Sequence, residues 1–197
     1  MSEIGQLTAV QLLQHFRDKT LSPVEVTEDA LLRIERYNPV VNAYCHVDPE
    51  GALNAARASE QRWLNGQPCG ALDGVPASIK DLTLTVGMPT RKGSRTTSAE
   101  GPWDVDAPFT AFMRKAGAVL LGKTTTPEFG WKGVTDNPLY GITGAVYTSV
   151  VPNAHSKNST RGVCTSSCTN EKPIKSRGFN RAVKYRGGAV CDRAYCG

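Results

Sequence analysis

The sequence predicts an α/β domain over residues 1–145, on three observations. Stretches with apolar residues at helical spacing alternate with short apolar runs suited to strands. One such run, "GAVLLGKT" at residues 117–124, is apolar on both faces, as a parallel strand between two layers must be. Residues that favour helix N-termini stand just before the helical stretches.

The elements follow in order. Thr8 caps a helix whose apolar positions are Val10, Leu12, Leu13 and Phe16. Ser22 caps a second, with Pro23 in its first turn and Asn38-Pro39 as its stop. Its stripe is Val26, Ala30, Leu31, Ile34 and Tyr37. Residues 42–47, "NAYCHV", predict a short strand. Asp48-Pro49 opens a third helix running to about Gly66, with Leu53, Ala56 and Trp63 inward. "GVPASIKD", residues 74–81, predicts a strand, and "TLTVGMPTRKGS" a turn-rich stretch built around Gly87, Pro89 and Gly93. Asp106 is expected to cap a helix with Phe109, Phe112 and Met113 on one face. Helices alternating with strands build layered α/β domains.

From about residue 145 the pattern stops. "AVYTSVVP" still suits a strand, but beyond it no period of 2 or 3.6 is sustained, and Ile174 is the sole Leu or Ile in residues 153–197. Such a segment buries too little to offset its ordering entropy, so residues 146–197 are expected to form an irregular, disordered tail. Charge changes at the same place. The whole chain carries +5, yet residues 146–197 hold nine Lys and Arg against two acids, a net +7, which leaves the first 145 residues at −2. Four of the six cysteines, Cys164, Cys168, Cys191 and Cys196, crowd this tail, whereas Cys45 and Cys69 lie early. No apolar run reaches membrane-spanning length and the N-terminus lacks the pattern of a secretion signal, so a cytoplasmic location is expected.

"GVPASIKD" raises the chemical question. Strand alternation puts Ser78 and Lys80 on one face and Val75, Ala77 and Ile79 on the other. A lysine at a strand's C-terminal end is either a solvated terminus or an amine tuned by a dry site to act as a base. The blocks around it decide. "GALDGVPASIKD", "GMPTRKGS", a helix, "GAVLLGKTTTPEFG" and "TDNPLYGIT" occur in an order and chemistry that resembles the N-terminal part of the amidase signature family of C–N hydrolases, over roughly residues 6–144. Val75-Pro76 followed by Lys80-Asp81 is the most specific block.

The resemblance implies the N-terminal portion of a mixed-sheet α/β/α fold and hydrolysis of carbon–nitrogen bonds in small amides by a Ser–Ser–Lys triad. Lys80 matches the family's catalytic lysine. In such enzymes the neutral lysine takes a proton from a serine held by a cis peptide bond, and that serine relays the proton from a nucleophilic serine. A base of this kind needs a pKa brought toward neutrality by burial. The nucleophile needs hydrogen-bond reach to its partner and backbone N–H groups facing the oxyanion. Neither serine is found. The family continues into a Gly-Gly-Ser-Ser-Gly-Gly loop, whereas here "GIT" leads into "GAVYTSVVPNAHSKN", and the serine pair Ser166-Ser167 has Cys and Thr neighbours instead of glycines. The expectation is a truncated amidase, inactive as this chain, whose last fifty or so residues resemble an out-of-frame or foreign tail.

Other readings weigh less. Cys164-x3-Cys168 and Cys191-x4-Cys196 would supply four zinc ligands, and the basic tail with Phe179, Tyr185 and Tyr195 would suit nucleic acid. The spacing is loose and no C-x-x-C occurs, so no metal, cofactor or nucleic-acid partner is expected. "GKTTTPEFG" lacks the upstream glycine of a phosphate loop. His15 and His46 have no partner at ligand spacing, and Ser78 reads as a structural hydroxyl beside Lys80. Within the family, free amidases and the A subunit of tRNA-dependent amidotransferases stay open, with "PEFGWKGVTDNPLYGIT" slightly closer to the free amidases. An incomplete sheet would leave strand edges and apolar helix faces exposed, so a marginal, aggregation-prone domain is expected.

Overall fold

The structure, a computed structural model, describes residues 3–144. Helix α1 (Ala9–Asp18) starts at Thr8, whose side chain accepts from the Gln11 N–H while the Gln11 side chain accepts from the Thr8 N–H. Ser22 and Glu25 make the same reciprocal box at the start of α2 (Pro23–Val41). Strand β1 (Tyr44–Val47) follows, then α3 (Pro49–Leu64), whose first turn is held by the Asp48 carboxylate on the Gly51 N–H. Strand β2 (Pro76–Lys80), helix α4 (Pro108–Lys115), strand β3 (Val119–Thr124) and the two-residue strands β4 (Asp136–Asn137) and β5 (Gly141–Ile142) complete the order.

β3 is the centre of a three-stranded mixed sheet, parallel to β2 and antiparallel to β1. Its alternation defines the layers. Val119 and Leu121 pack on Ala52 and Ala56 of α3, with Ala30, Leu31 and Ile34 of α2 against the same cluster. Ala118 and Leu120 face the other way, onto Ile79 and Met88, with Met113 of α4 against them. Helices on both faces make this the α/β/α layering that the sequence predicts. Small residues at the α3 contact bring that helix close to the sheet: Ala52, Ala56 and Ser59, at i, i+4 and i+7, are fully buried. A third cluster of Leu12, Phe16, Val26 and Val75 joins α1 and α2 to the start of β2. Gly122 lets the β1–β3 pair close. A Cβ there would lie 2.2 Å from the His46 carbonyl oxygen, beside the irregularity in that ladder.

Several expectations are corrected. α2 does not stop at Asn38-Pro39 but runs through Pro39 to Val41. Proline in the last turn forfeits one hydrogen bond, and the exit beyond it is well held. Asn42 adopts a left-handed conformation and donates its N–H to the Asn38 carbonyl, while the Asn38 side chain accepts from the Ala43 and Tyr44 amides. Asp106 does not cap α4. Ala107 is the N-cap, and the Asp106 carboxylate instead accepts from the Val86 N–H and pairs with Arg114. α4 therefore buries Thr110, whose hydroxyl donates to the Leu84 carbonyl, and leaves Phe109 and Phe112 exposed. Val10 is likewise exposed, opposite the buried Leu12 and Phe16.

With Trp131, Phe129 and Leu32 also exposed, unpartnered apolar surface is plentiful, as the sequence suggests. Among the described residues no helix is long and apolar enough to cross a membrane. The strand suggested by "AVYTSVVP", the tail of residues 146–197 and its cysteine pairs lie outside the described residues.

Candidate active site

The site is built at the C-terminal ends of β2 and β3. Lys80 ends β2, in register with Thr124 of β3, and is exposed; the preceding Ile79 is fully buried. Ser78, on the same face as Lys80, has its hydroxyl 2.5 Å from the Tyr44 hydroxyl across the sheet.

Asp81, the next residue, organises the surroundings. Its backbone N–H donates to the Thr124 carbonyl and its carbonyl accepts from the Lys92 N–H. Its fully buried carboxylate accepts from the backbone N–H groups of Arg91 (2.8 Å) and Gly93 (3.0 Å). Burial pushes that carboxyl up, against the pull of these two amides and of Lys123 and Arg91. The loop that Asp81 holds needs its glycine. Gly93 has φ +63°, and a Cβ there would meet the Thr126 carbonyl oxygen at 2.7 Å.

From this loop the contacts spread to the remaining blocks. The Phe129 N–H donates to the Lys92 carbonyl, and the Ser94 hydroxyl donates to the Glu128 carboxylate at 2.7 Å. The Asn137 side chain donates to the Thr126 carbonyl and accepts from the Leu139 and Tyr140 amides. So "KD", "TRKGS", "TTTPEFG" and "TDNPLYG", separated in sequence, meet around Asp81.

Sequence reasoning missed Lys123. It lies in β3 on the 79–123 register pair and is fully buried, with its ammonium donating to the Thr83 carbonyl (2.5 Å) and the Thr90 (2.8 Å) and Thr85 (3.2 Å) hydroxyls. Burial lowers its pKa from 10.5 to about 8, against the opposing field of Asp81. The signal was a lysine inside an otherwise apolar run, which the phosphate-loop question obscured. The burial that a lysine base requires is thus found at Lys123; Lys80, which matches the family's base, is exposed among residues 3–144. Cys45 is half-buried, and burial raises its thiol to about 12, an inert value. Away from the strand ends, Arg62 forks onto the buried Asp73 at 2.6 and 2.9 Å and fixes the turn before β2. Among the described residues no group of three or more His, Cys, Asp or Glu could hold a metal ion.

Comparison with known proteins agrees with this arrangement. The Amidase family model matches residues 25–163, past the "TDNPLYGIT" block. The chain is 41% identical over 144 residues to the A subunit of the Streptomyces coelicolor glutamyl-tRNA(Gln) amidotransferase, a match covering 73% of this chain and 29% of that protein. Among solved structures, a bacterial aryl acylamidase of the amidase signature family superposes with a TM-score of 0.63 at 31% identity, covering 70% of this chain and 29% of the other. The crystal structure of another amidase gives a TM-score of 0.63 at 29% identity, covering 70% of this chain and 31% of that one. The chain therefore spans about three-tenths of the length of the relatives it matches. Matched by its family over most of its length, and folded so that the family's blocks converge beside Lys80, this chain belongs to the amidase family.

Proposed function

We propose that this chain supplies the base-bearing part of a Ser–Ser–Lys amidase acting on the carbon–nitrogen bond of a small amide, with Lys80 as the base. The observation that supports this is the tie of Asp81 to the 91–93 loop and to Thr124 of the 124–126 segment, onto which Phe129 and Asn137 of the remaining blocks are bonded, which fixes the strand end from which Lys80 projects. Residues 3–144 leave Lys80 exposed to water. The sequence also holds no Gly-Gly-Ser-Ser. The 197-residue chain by itself therefore hydrolyses no simple amide. The reading includes a cytoplasmic location, with which free thiols at Cys45 and Cys69 are consistent.

The test is a chimaera in which residues 1–144 replace the matching part of the aryl acylamidase. Lys80→Ala should lower its kcat/KM by at least about 100-fold, the usual minimum for a general base. Undiminished activity would remove Lys80 from the mechanism. Turnover by the 197-residue chain alone, lost on Lys80→Ala, would overturn its inactivity and make Ser78 the first substitute nucleophile to examine.

A second reading, a part of an amidotransferase A subunit, is favoured by the 41% identity to the Streptomyces coelicolor protein. Release of ammonia from glutamine, in preference to aryl amides, by a chimaera built on that protein would favour it.

The proposal divides the chain at residue 145, with residues 146–197 appended to the α/β layers and not continuing them. Mild trypsin should cut from Lys157 onward, where Lys and Arg are frequent, and spare the region around Lys80 for longer. Added zinc should leave the digestion pattern unchanged. Resistance that needs zinc would transfer the tail to a four-cysteine site of Cys164, Cys168, Cys191 and Cys196.

A further inference from the structure

Four non-glycine residues among those described have a left-handed backbone: Lys19, Asn42, Lys92 and Phe129. The first two follow the last turns of α1 and α2, where that conformation closes a helix. Lys92 and Phe129 end no α-helix. Each is followed by a glycine that is also left-handed, Gly93 at φ +63° and Gly130 at φ +72°. Two such residues in succession suit Asn-Gly or Gly-Gly, and a lysine or a phenylalanine is disfavoured at the first of them.

The two strained positions are bonded to each other beside Lys80. The Phe129 N–H donates to the Lys92 carbonyl at 2.9 Å, and the Ser94 hydroxyl donates to the Glu128 carboxylate at 2.7 Å. The Lys92 N–H donates to the Asp81 carbonyl at 3.0 Å, which holds the Lys92 Cα within about 6 Å of that carbonyl carbon, one residue from Lys80. The surroundings therefore over-determine the strained backbone, as they must for it to persist. Neighbouring cations are committed elsewhere: Arg91 to Thr97, Lys123 to residues 83–90 and Lys132 to Asp136. The half-buried Lys92 side chain makes no hydrogen bond or ion pair among the described residues, and Phe129 is 53% exposed.

We propose that Lys92 and Phe129 form a subsite for the part of the substrate away from the scissile bond, Lys92 taking a carboxylate and Phe129 lying against an adjoining apolar or aromatic group. The amide that this chain serves is then an anionic one. The inference rests on the reading of Lys80 as the base and adds the substrate class to it. A lysine ammonium attracts a carboxylate as a compact point charge, and a backbone held from three sides loses little freedom when it does so. A phenyl ring left in water gains by being covered. Strain at these two positions has a use on this account, because Asn or Gly would fit the turns better and bind nothing.

The experiment uses the full 197-residue chain and two probes, 4-acetamidobenzoate and the neutral acetanilide, titrated by saturation-transfer NMR at low salt. The anion should bind more tightly than acetanilide by at least about fivefold, the scale of one exposed ion pair. Lys92→Gly should remove that preference, Lys92→Arg should keep it, and Phe129→Gly should weaken both probes. Both glycine variants relieve a left-handed side chain, so their urea midpoints should not fall, which separates loss of the subsite from loss of the fold. Lys80→Ala should leave the preference for the anion intact. A preference lost in Lys80→Ala but kept in Lys92→Gly would seat the anion on Lys80 and overturn the proposal. Equal affinity for the two probes, or no measurable binding of 4-acetamidobenzoate, would overturn it as well. The role of Lys80 as base is read separately, from the rate of the chimaera, so either reading can fall without the other.

Discussion

Lys80 and Lys123 stand on neighbouring strands within one residue of the same sheet level, and their surroundings are opposite. Lys80 ends an edge strand of the described sheet and reaches water. Lys123 lies in the central strand, fully buried, its ammonium shared among a carbonyl and two hydroxyls. The family resemblance attaches chemistry to the first, whereas the packing invests in the second. On the proposed reading, with Lys80 as the base, the buried lysine beside the same blocks serves the fold instead. Lys123 ties β3 to the turn of residues 83–90, and Asp81 ties the end of β2 to residues 91–93. Together they brace the platform on which Lys80 is presented.

The largest effect that bears on this contrast is the loss of Lys123. Lys123→Ala removes a buried four-carbon stem, leaves a cavity, and strips one donor from each of three oxygens. By analogy with large-to-small core changes the cost is about 2–4 kcal/mol. Urea unfolding monitored by tryptophan fluorescence should show a clear drop in midpoint. A near-neutral Lys123→Ala would mean that the brace is ornamental and the comparison empty.

The pH dependence sharpens it. The folded pKa of Lys123 is about 8, below its ordinary 10.5. Below pH 8 both folded and unfolded chains hold the proton, and the cost of burying the ammonium is borne in full. As pH rises through 8 the folded state releases its proton while the unfolded state keeps it, so stability rises with pH. Cys45 and Tyr140, each pushed by burial to about 12, oppose this once their unfolded counterparts ionise, from about pH 9 upward. The window is therefore pH 8 to 9, with an expected gain of about 1 kcal/mol. Lys123→Met, which keeps the stem and removes the charge, should flatten that rise. A slope that survives Lys123→Met belongs to another group.

Much of this was legible in the sequence. The reciprocal caps at Thr8 and Ser22 follow from residue type and spacing alone, and the both-face apolar run at β3 marked the centre of the sheet. Lys80 and Asp81 were legible because they sit in a specific block. Where the reading failed, a distant partner decided. Asp106 is a plausible cap until Val86 and Arg114 claim its carboxylate. Pro39 stops a helix unless the exit is secured as Asn38 and Asn42 secure it. Phe109 and Phe112 look like a core face, but Thr110 wins because its hydroxyl reaches the Leu84 carbonyl. Lys123 needed the fold of residues 83–90 to supply its three oxygens, and no local pattern announces that.

The smallest expected effect is the most discriminating. Lys80 is exposed, and none of the ion pairs formed by the described residues includes it. Lys80→Ala should therefore change the stability of this chain by no more than about 0.5 kcal/mol, the usual range for a surface position. The same substitution in the serine-supplied chimaera should remove most of its activity, because a general base acts on the reacting proton itself. A residue that is silent for folding and costly for turnover is one kept for chemistry. Lys123→Ala should show the reverse order, with activity falling only as far as the folded fraction does. Paired unfolding and rate measurements on the two variants provide the comparison. If Lys80→Ala destabilised the chain as much as Lys123→Ala, Lys80 would be a second brace, and its proposed role as the base would lose its independent support.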